Sequence, residues 1–352
     1  MINDNNNPLE EDLNHILQFT KNLWGELRDK RIFVTGGTGF FGCWLLECFV
    51  WANSRLKLNA EVVVLTRDYN SFCKKVPHLT TNPSVKFHTG DVRDFKFPKG
   101  EFSYVIHAAT AASAELNAEN PVLMFDTILR GTRQVLEFAR QCGVKKLLLT
   151  SSGAVYGEQP SDLTHISESY KCEPGPDDPK SAYGMGKHAA EQLCMLYSKQ
   201  YGIETKIARC YALVGPYLSL DIHYAMGNFI LDGMKGGPIR VKGDGTPNRS
   251  YLYAADLMIW LWTILFKGKS CYPYNVGSEE SISIVELARR IAGIFDKKMK
   301  VEVAKTPDPD NPVEQYVPSA ERARSELQLS QTVDLLEGIR RTIRWNKYPG
   351  KF

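Results

Sequence analysis

A short apolar strand pattern that leads directly into a glycine-rich turn and a helix constrains this chain more than any other feature. Arg31–Thr35 reads as a buried strand, and the turn Gly36–Gly42 precedes a helix pattern that continues through Trp51. Glycine permits the tight turn and lets backbone amides approach a pyrophosphate, whose charge the helix N-terminus favours. A tight turn without a ligand is the alternative. The residues predicted to bind a dinucleotide here are Gly36, Gly39, Phe40, Phe41 and Gly42.

Strand and helix patterns then alternate along the chain. Further strands are predicted at Glu61–Thr66, Val85–His88, Tyr104–His107, Lys146–Thr150 and Glu204–Arg209, and helices at Pro121–Cys142 and Ala182–Tyr201. Such alternation predicts an α/β fold, a doubly wound parallel sheet of the Rossmann type with helices on both faces.

The pattern changes after Gly215, where Gly, Pro and Asp become dense as far as Pro247. This change indicates a smaller C-terminal α/β substrate lobe. The predicted organisation is an N-terminal helical extension over 1–29, a dinucleotide-binding domain over 30–215 with returning segments near 251–277, and a mainly substrate-binding lobe over 216–352. Within the extension, apolar residues at helical spacing predict one amphipathic helix over Leu9–Leu27 that packs on the domain.

Tyr183 and Lys187 lie four residues apart in a predicted helix, so they share one face. A neighbouring ammonium favours the ionised form of a phenol and would bring its pKa of about 10 towards working pH. Ser152 follows a predicted buried strand and could hold a reacting hydroxyl or carbonyl group. We predict that these three residues are catalytic, that Ser152 also contacts substrate, and that the other two also contact the cofactor. A Tyr-x-x-x-Lys pair that arises by chance is the alternative.

The end of the second predicted strand bears on which cofactor is bound. An acidic residue at this place binds the ribose 2′-hydroxyl of NAD, but here Thr66 occupies it and Arg67 follows. A small residue beside a cation suits a 2′-phosphate, so NADP is favoured over NAD as the cofactor. Asp68 keeps NAD open, and a solvated surface charge is the other interpretation of Arg67.

Other residues at strand ends complete the predicted site. Asp91, after the third strand, could accept a hydrogen bond from an adenine amino group, with Val92 beside it, or it could cap its own loop. Ala108 and Ala109 are small, as a backbone segment beside a cofactor requires. In the lobe, Arg249 follows a rigid turn and could bind a diphosphate in fork geometry, with an interdomain salt bridge as the alternative.

Composition excludes several classes of function. The 352 residues are 43% hydrophobic and 24% charged, with a net charge of +3, too small to indicate nucleic-acid or membrane binding. Leu257–Phe266 is far shorter than a membrane-spanning helix and predicts a buried one. Met1–Pro8 does not resemble a secretory signal, and the eight cysteines show no metal-site spacing. A cytoplasmic protein with reduced thiols and no metal is expected.

Together these segments resemble the extended short-chain dehydrogenase/reductase family, specifically its NAD(P)-dependent nucleotide-sugar epimerases and dehydratases. The resemblance covers Lys30 to about Leu329 and includes the motifs TGGTGFFG, GDVRD, HAAT, TSSGAVYG, YGMGK, GDGTPNR and YNVG. It implies hydride transfer at C4 of a nucleoside-diphosphate sugar through a 4-keto species. Ser152, Tyr183 and Lys187 would be the catalytic trio, Arg249 would bind the diphosphate, and the protein would be a homodimer.

Departures from the family pattern narrow the predicted reaction. Family 4,6-dehydratases carry an Asp-Glu pair after the catalytic Ser/Thr, and decarboxylases of UDP-glucuronate keep the Glu, whereas this chain has Gly153 and Ala154. Ala212 and Ile128 replace two usual asparagines. Without these carboxylates a sugar-nucleotide epimerase is favoured. The alternatives are an NADPH-dependent 4-keto reductase, a 4,6-dehydratase with displaced acid/base residues, and a non-catalytic dinucleotide-sensing scaffold.

Overall fold

The computed structural model describes residues 7–110, 114–171, 174–175, 177–222, 224–310 and 312–348, so Cys172 and residues 1–6 lie outside the described residues. The strands are β1 (Arg31–Thr35), β2 (Glu61–Thr66), β3 (Val85–Thr89), β4 (Tyr104–His107), β5 (Lys146–Ser152), β6 (Glu204–Cys210), β7 (Leu213–Val214), β8 (Ile239–Val241), β9 (Asn248–Arg249), β10 (Leu252–Tyr253), β11 (Pro273–Val276), β12 (Ile282–Ser283), β13 (Val301–Val303) and β14 (Gln315–Tyr316). The α-helices are α1 (Glu10–Thr20), α2 (Phe40–Leu56), α3 (Tyr69–Lys75), α4 (Pro77–Thr80), α5 (Ala114–Glu119), α6 (Pro121–Gln141), α7 (Ala182–Tyr201), α8 (Ala225–Met234), α9 (Ala254–Lys267), α10 (Ile284–Phe295), α11 (Glu321–Leu327) and α12 (Leu335–Lys347).

Seven strands form one sheet in the order β3-β2-β1-β4-β5-β6-β11, and every neighbouring pair is parallel. The strand order reverses at β1, as in Rossmann sheets, where the ligand crevice lies at this switch point. The predicted doubly wound parallel fold is therefore confirmed. The carboxyl ends of β1, β4, β5 and β6 lie along one edge of the sheet, which places the motifs that follow them side by side.

The strands are buried on both faces because helices cover each side of the sheet. Alternate residues of β1 point in opposite directions. Ile32 and Val34 pack in the core that contains residues of α2 and α9, whereas Phe33 packs with Phe138 of α6 and other residues of α6 and α7. This double burial explains the continuous apolar runs of the central strands.

Helix α9 is buried along nearly its whole length, as predicted for Leu257–Phe266. Strand β11, which follows α9, pairs with β6 and so extends the main sheet. Beyond the main sheet, β9 pairs with β12 and β14, β8 pairs with β13, and β7 pairs with β10. The domain boundaries predicted above stay a prediction. Among the described residues, no helix combines the length and the apolar character needed to cross a bilayer.

The N-terminal segment differs from the predicted single helix. Helix α1 ends at Thr20, and a separate 3₁₀ turn follows at Trp24–Leu27, so a continuous helix to Leu27 was wrong. The Trp24 indole donates to Thr20 Oγ1 (2.9 Å) and packs 4.6 Å from the Trp262 ring of α9. The end of the helix thus coincides with the burial of Trp24 against α9.

Candidate functional site

The turn after β1 packs so tightly that a side chain on either of two glycines, Gly36 and Gly42, would overlap backbone atoms. Gly36 has φ +71°, and a Cβ placed on it would lie 2.4 Å from the Ala108 carbonyl oxygen. A Cβ on Gly42 would lie 2.2 Å from the carbonyl carbon of Gly37. The spacing of these glycines therefore follows from contact between the turn, the end of β4 and the first turn of α2.

The N-terminus of α2 has the features of a phosphate-binding turn. Its N-cap residue Gly39 offers no side-chain hydrogen bond to the first-turn amides. A Cβ on Gly39 would meet only the Gly36 carbonyl oxygen, at 3.5 Å, so space remains in front of this turn. The first residues of α2, Phe40 and Phe41, are partly buried. These features fit the pyrophosphate of a dinucleotide, because backbone N–H groups and the helix dipole both favour an anion there.

The two alanines after β4 are held against β1 by hydrogen bonds. The Ala108 amide donates to the Thr35 carbonyl (3.1 Å), and the Ala109 amide donates to Thr35 Oγ1 (3.2 Å). Thr35 Oγ1 also lies 2.7 Å from His107 Nδ1, and His107 Nε2 lies 3.1 Å from Thr132 Oγ1. Burial lowers the pKa of His107 to about 3, so this imidazole is a neutral structural group.

At the end of β2, the three residues that bear on the choice of cofactor differ in burial and in hydrogen bonding. Asp68 caps α3, where its Oδ1 accepts from the Ser71 amide (2.8 Å). Thr66 is buried, and its hydroxyl accepts from the Asp68 amide (3.2 Å). Arg67 is exposed. The Asp68 carboxylate, which could have bound the ribose of NAD, thus caps a helix, whereas the Arg67 guanidinium lies at the surface. The preference for NADP stays a prediction.

Asp91 is engaged with its own loop. Its Oδ1 accepts from Arg93 Nε (2.8 Å) and the Arg93 amide (3.0 Å), and its Oδ2 accepts from Arg93 Nη2 (3.2 Å). Hydrogen bonding from Arg93 lowers the pKa of Asp91, and the charge of Arg67 adds to this effect. Next to it, Val92 packs against Gly131 of α6. A contact between Asp91 and adenine stays a prediction.

Lys187 is buried behind the end of β5. Its ammonium donates to the Thr150 carbonyl (2.8 Å) and to Thr110 Oγ1 (2.7 Å). Burial lowers the pKa of Lys187 to about 8. The Nζ atom lies 5.9 Å from the centroid of the Tyr183 ring. Thr110 ends the HAAT motif, so its position after β4 was the signal that could have identified it.

The expected lowering of the Tyr183 pKa is wrong. The phenol pKa is raised, because desolvation by the surrounding protein outweighs the lowering effect of its hydrogen bond with Ser152. The Lys187 ammonium points to Thr110 and Thr150 instead of the phenol oxygen. Helical spacing placed the two residues on one face but could not specify where the flexible lysine would direct its charge.

Ser152, at the end of β5, interacts with two phenols, those of Tyr183 and of Tyr316 in β14. Burial raises the pKa of Tyr316 to about 12, so this second phenol is neutral at pH 7. The sequence analysis missed Tyr316, because it stands alone in a Pro- and Asp-rich stretch without helical or strand periodicity.

Strand pairing places Arg249 beside Tyr316. Strand β9 pairs with β14, so Arg249 lies opposite Tyr316, with its guanidinium carbon 5.9 Å from the Tyr316 ring centroid. Its Nη2 donates to Glu314 Oε1 (2.5 Å) and its Nη1 donates to the Asn248 carbonyl (2.9 Å). Both partners are neighbours in the pairing of β9 and β14. Arg249 therefore stands near Ser152 and Tyr316, and diphosphate binding by it stays a prediction.

An aromatic ring occupies the space beside Gly153, the residue that directly follows Ser152. A Cβ placed on Gly153 would lie 2.5 Å from Cζ of Tyr211. The Tyr211 ring lies 4.6 Å from the Tyr316 ring, and together they form an aromatic wall next to Ser152. Among the other departures, Ile128 is buried and packs against Gly186 of α7, and the Ala212 carbonyl accepts from the Leu252 amide (3.0 Å).

Within the part of the chain that the structure describes, no group of three or more His, Cys, Asp or Glu side chains could hold a metal ion. The residues at the site are donors, acceptors and aromatic rings. Such a set can orient a polyhydroxylated molecule and move a proton between oxygen atoms.

Comparison with known proteins places this geometry in context. A family model described as the NAD dependent epimerase/dehydratase family matches residues 32–277. A UDP-glucuronic acid decarboxylase from Arabidopsis thaliana is 30% identical over 310 residues, which is 88% of this chain and 86% of the relative. The family resemblance inferred from the motifs is confirmed.

Solved structures share the fold at lower identity. A UDP-N-acetylglucosamine 4-epimerase from Methanobrevibacter ruminantium, in complex with UDP-N-acetylmuramic acid, aligns with a TM-score of 0.78 and 20% identity over 91% of this chain and 98% of that one. A dTDP-glucose 4,6-dehydratase from Bacillus anthracis, in complex with NAD, aligns with a TM-score of 0.75 and 20% identity over 92% and 98% of the two chains. Both have the fold described above.

Proposed function

The chain belongs to the NAD dependent epimerase/dehydratase family, and from this premise we propose that it is a nucleotide-sugar 4-epimerase. It would invert the C4 hydroxyl of a nucleoside-diphosphate hexose through a 4-keto intermediate. The observation that carries this choice is the Tyr211 ring beside Gly153, which leaves no room for the acidic side chain that the family resemblance implies for a dehydratase at this position. Members of the family that eliminate or decarboxylate need further acid and base groups beyond the catalytic trio.

The neighbouring carboxylates support the same choice, because each is engaged elsewhere. Glu191 accepts hydrogen bonds from Ser151 (2.5 Å) and Arg209 (2.7 Å) behind the end of the sheet. Glu168 accepts from the Asn275 amide (2.8 Å). Neither of these two described carboxylates is therefore free to act as a displaced acid or base for C5 and C6 chemistry.

The residues of the site have distinct roles in the proposed reaction. Bound NAD(P) would supply the hydride acceptor and donor, held by the turn Gly36–Gly42. Ser152 would hold the C4 oxygen by a hydrogen bond, and Tyr183 would exchange a proton with it. The reaction would begin with oxidation, in which the ionised phenol accepts the proton of the C4 hydroxyl, and the raised pKa of Tyr183 makes this form the minor one before catalysis. The neutral phenol that results is the form that returns a proton to the 4-keto oxygen in the second half-reaction.

The proposed class of substrate rests on the relatives and on Arg249. Of the two solved structures described above, one is in complex with UDP-N-acetylmuramic acid, and the other is a dTDP-glucose 4,6-dehydratase. Arg249 offers a planar guanidinium that suits two phosphate oxygens. Its ion pair with exposed Glu314 would have to open for a diphosphate to bind. We therefore propose a UDP- or dTDP-linked hexose as substrate.

Incubation with UDP- and dTDP-hexoses and NAD or NADP, followed by proton NMR of the products, tests the proposal. The expected result is a C4 epimer with no net change in dinucleotide absorbance at 340 nm. Net consumption of NADPH with a 4-keto sugar would instead establish a reductase, and a C6 methyl signal a dehydratase. A pentose product from UDP-glucuronate would establish the decarboxylase reaction of the Arabidopsis relatives. Each of these three outcomes contradicts the proposed epimerase.

Tyr183→Phe separates an enzyme from a dinucleotide-sensing scaffold. Removal of the proton-exchanging hydroxyl should lower turnover by about 10³-fold or more while leaving dinucleotide affinity within about twofold. Tyr201→Phe is the matched control, because Tyr201 lies at the far end of the same helix and is exposed. A scaffold would show no turnover in any of the three proteins.

We also infer that two copies of the chain associate through α6 and α7. Val122 of α6 is 78% exposed, and Leu196 of α7 is 50% exposed, with Met195 beside it. Apolar side chains on adjacent helices favour association with a second copy. Light scattering after size exclusion should give twice the chain mass, and Leu196→Glu should shift the population to monomer. A monomeric wild-type protein at micromolar concentration would contradict this inference.

A further inference from the structure

A row of polar side chains, buried except for a partly exposed Arg209, crosses the sheet one residue below the level of Ser152. Ser151 of β5 lies in register with Arg209 of β6, and Arg209 lies in register with Asn275 of β11. All three adjoining strands therefore place a polar residue at the same height. Buried polar groups in such a position must satisfy one another, because water cannot.

The helix that carries Lys187 joins this row through Glu191, one turn further along. The Glu191 carboxylate accepts from Ser151 Oγ (2.5 Å) and binds Arg209 in fork geometry, through Nε (3.0 Å) and Nη2 (2.7 Å). Glu191 is buried. This bidentate pair holds both side chains in one orientation, so it fixes the distance between α7 and β6, while Ser151 links the same carboxylate to β5.

The other end of the row reaches the segments that carry the aromatic wall. The Arg209 guanidinium lies over the Tyr156 ring (4.7 Å), and the Tyr156 hydroxyl donates to Asn275 Oδ1 (2.9 Å). Asn275 Nδ2 donates to the Ile166 carbonyl (2.9 Å) and the Ser319 carbonyl (3.1 Å). Ser319 lies three residues after Tyr316, whose phenol interacts with Ser152. The row thus connects helix α7, which carries Lys187, to the segment that carries Tyr316.

We propose that Glu191 and Arg209 are positioning residues that hold Ser152 and Lys187 in register with the segment that carries Tyr316. This role rests on the function proposed above, since it concerns the geometry of the same reaction. Neither side chain touches the reacting atoms in this arrangement. They act through Ser151, through helix α7 and through Asn275.

The charge of Glu191 also affects the protonation of Lys187, which a purely structural role would not do. The titratable groups around Lys187 are Tyr183, Glu191 and Cys194 on its own helix, His107 on β4 and Cys210 on β6. Burial keeps the phenol, the two thiols and the imidazole neutral at pH 7. Among these described groups Glu191, paired with Arg209, supplies the negative charge. Its field favours the protonated form of Lys187 against the opposing effect of burial.

Glu191→Gln tests the proposal, because glutamine retains an acceptor for Ser151 and removes the charge. The midpoint of Lys187 titration, read from carbon-13 NMR of labelled lysines and assigned with Lys187→Arg, should move to lower pH. Turnover of the nucleotide sugar should fall about tenfold or more while KM stays within about threefold. Glu204→Gln is the matched control: it removes the 2.6 Å ion pair with Lys206 at the opposite end of β6 and should change neither quantity.

The double variant Glu191→Gln/Arg209→Gln separates positioning from folding. It leaves a neutral pair, so its melting temperature should recover towards that of the wild-type protein, while the Lys187 midpoint and kcat stay low. The proposal is overturned if Glu191→Gln leaves the Lys187 midpoint unchanged, or if kcat recovers together with stability in the double variant. The NMR titration needs no sugar substrate, so it tests the effect of Glu191 on Lys187 even if the proposed epimerase activity is not found.

Discussion

The turn after β1 and the end of β5 lie at the same edge of one sheet, but they are shaped by different parts of the chain. Around Gly36 and Gly42, close contacts join backbone to backbone, and the bonds from Ala108 and Ala109 tie the turn to β4. Around Ser152, the neighbours are side chains from distant segments, including Tyr211 and Tyr316. We call the turn after β1 the cofactor half and the end of β5 the substrate half, after the roles proposed above. The cofactor half is built by short-range backbone geometry and the substrate half by tertiary side-chain packing.

This difference teaches which positions tolerate change. A backbone contact cannot relax by choosing another rotamer, whereas a tyrosine ring can turn or be replaced together with its neighbour. Substitutions in the cofactor half should therefore act singly and strongly. Those in the substrate half should depend on a second residue.

The largest effect is expected for Gly42→Ala in the cofactor half. Its new Cβ would lie 2.2 Å from the Gly37 carbonyl carbon, so the turn must move, and the free energy of unfolding should fall by more than about 3 kcal/mol. Urea unfolding measures it. Gly39→Ala is the control, because its Cβ meets only one atom at 3.5 Å and should change stability by less than about 1 kcal/mol. Equal stability of the two variants would contradict a backbone-built turn.

The next effect concerns Lys187, which lies between the two halves. Its folded-state pKa of about 8 is below its ordinary value of 10.5, so between these pH values the unfolded chain holds a proton that the folded protein has lost. Folding stability should therefore rise with pH from about 8 to 10.5, relative to Lys187→Met, by about 3 kcal/mol at most. The penalty of the buried charge is full below pH 8.

The measurement is the difference between the unfolding free energies of wild type and Lys187→Met across that pH range, which cancels the other titrating groups. A difference that stays flat, or falls as pH rises, would contradict a buried and desolvated ammonium.

A smaller, conditional effect is expected for Gly153→Asp in the substrate half. The added side chain meets the Tyr211 ring, so stability should fall by about 2 kcal/mol. When Tyr211→Ala is already present, the same substitution should cost clearly less, and the double-mutant cycle gives the coupling between the two positions. Additive costs would show that the ring does not exclude a carboxylate from this place.

The smallest effect is expected at the exposed ribose end of the cofactor half. Arg67→Glu should change the ratio of NADP to NAD affinity by about tenfold towards NAD, because a carboxylate repels a 2′-phosphate and accepts from a 2′-hydroxyl. Titration of both dinucleotides by fluorescence quenching measures the ratio. Lys74→Glu, a charge reversal on nearby α3, is the control for net charge. An unchanged ratio in Arg67→Glu would favour the surface-charge interpretation.

Local patterns were sufficient for the sheet and for most of the cofactor half. The bounds of β1, β2, β4 and α7 agree with the predicted ones, because each is an uninterrupted pattern ended by a clear stop signal. The prediction of a continuous helix to Leu27 was wrong in the segment where Trp24 is buried against Trp262. Asp68 also had its partner nearby, three positions along at Ser71, so its capping role was readable from a short stretch of sequence.

The substrate half was only partly readable. Ser152, Tyr183 and Arg249 were predicted from the sequence, but Tyr316 and the row from Glu191 to Asn275 were not. Tyr316 reaches Ser152 through strand pairing of β14 with β9, a contact between residues far apart in the chain. No periodicity or spacing carries such information.

By itself, the sequence determined the parallel sheet, the glycine turn at its switch point and the family, since these depend on period, turn chemistry and motifs within short stretches. Only the tertiary structure decided where the Lys187 ammonium points, that the Tyr183 pKa is raised and that Tyr211 fills the space beside Gly153. These depend on burial and on which distant side chains meet, and both quantities exist only once the chain has folded.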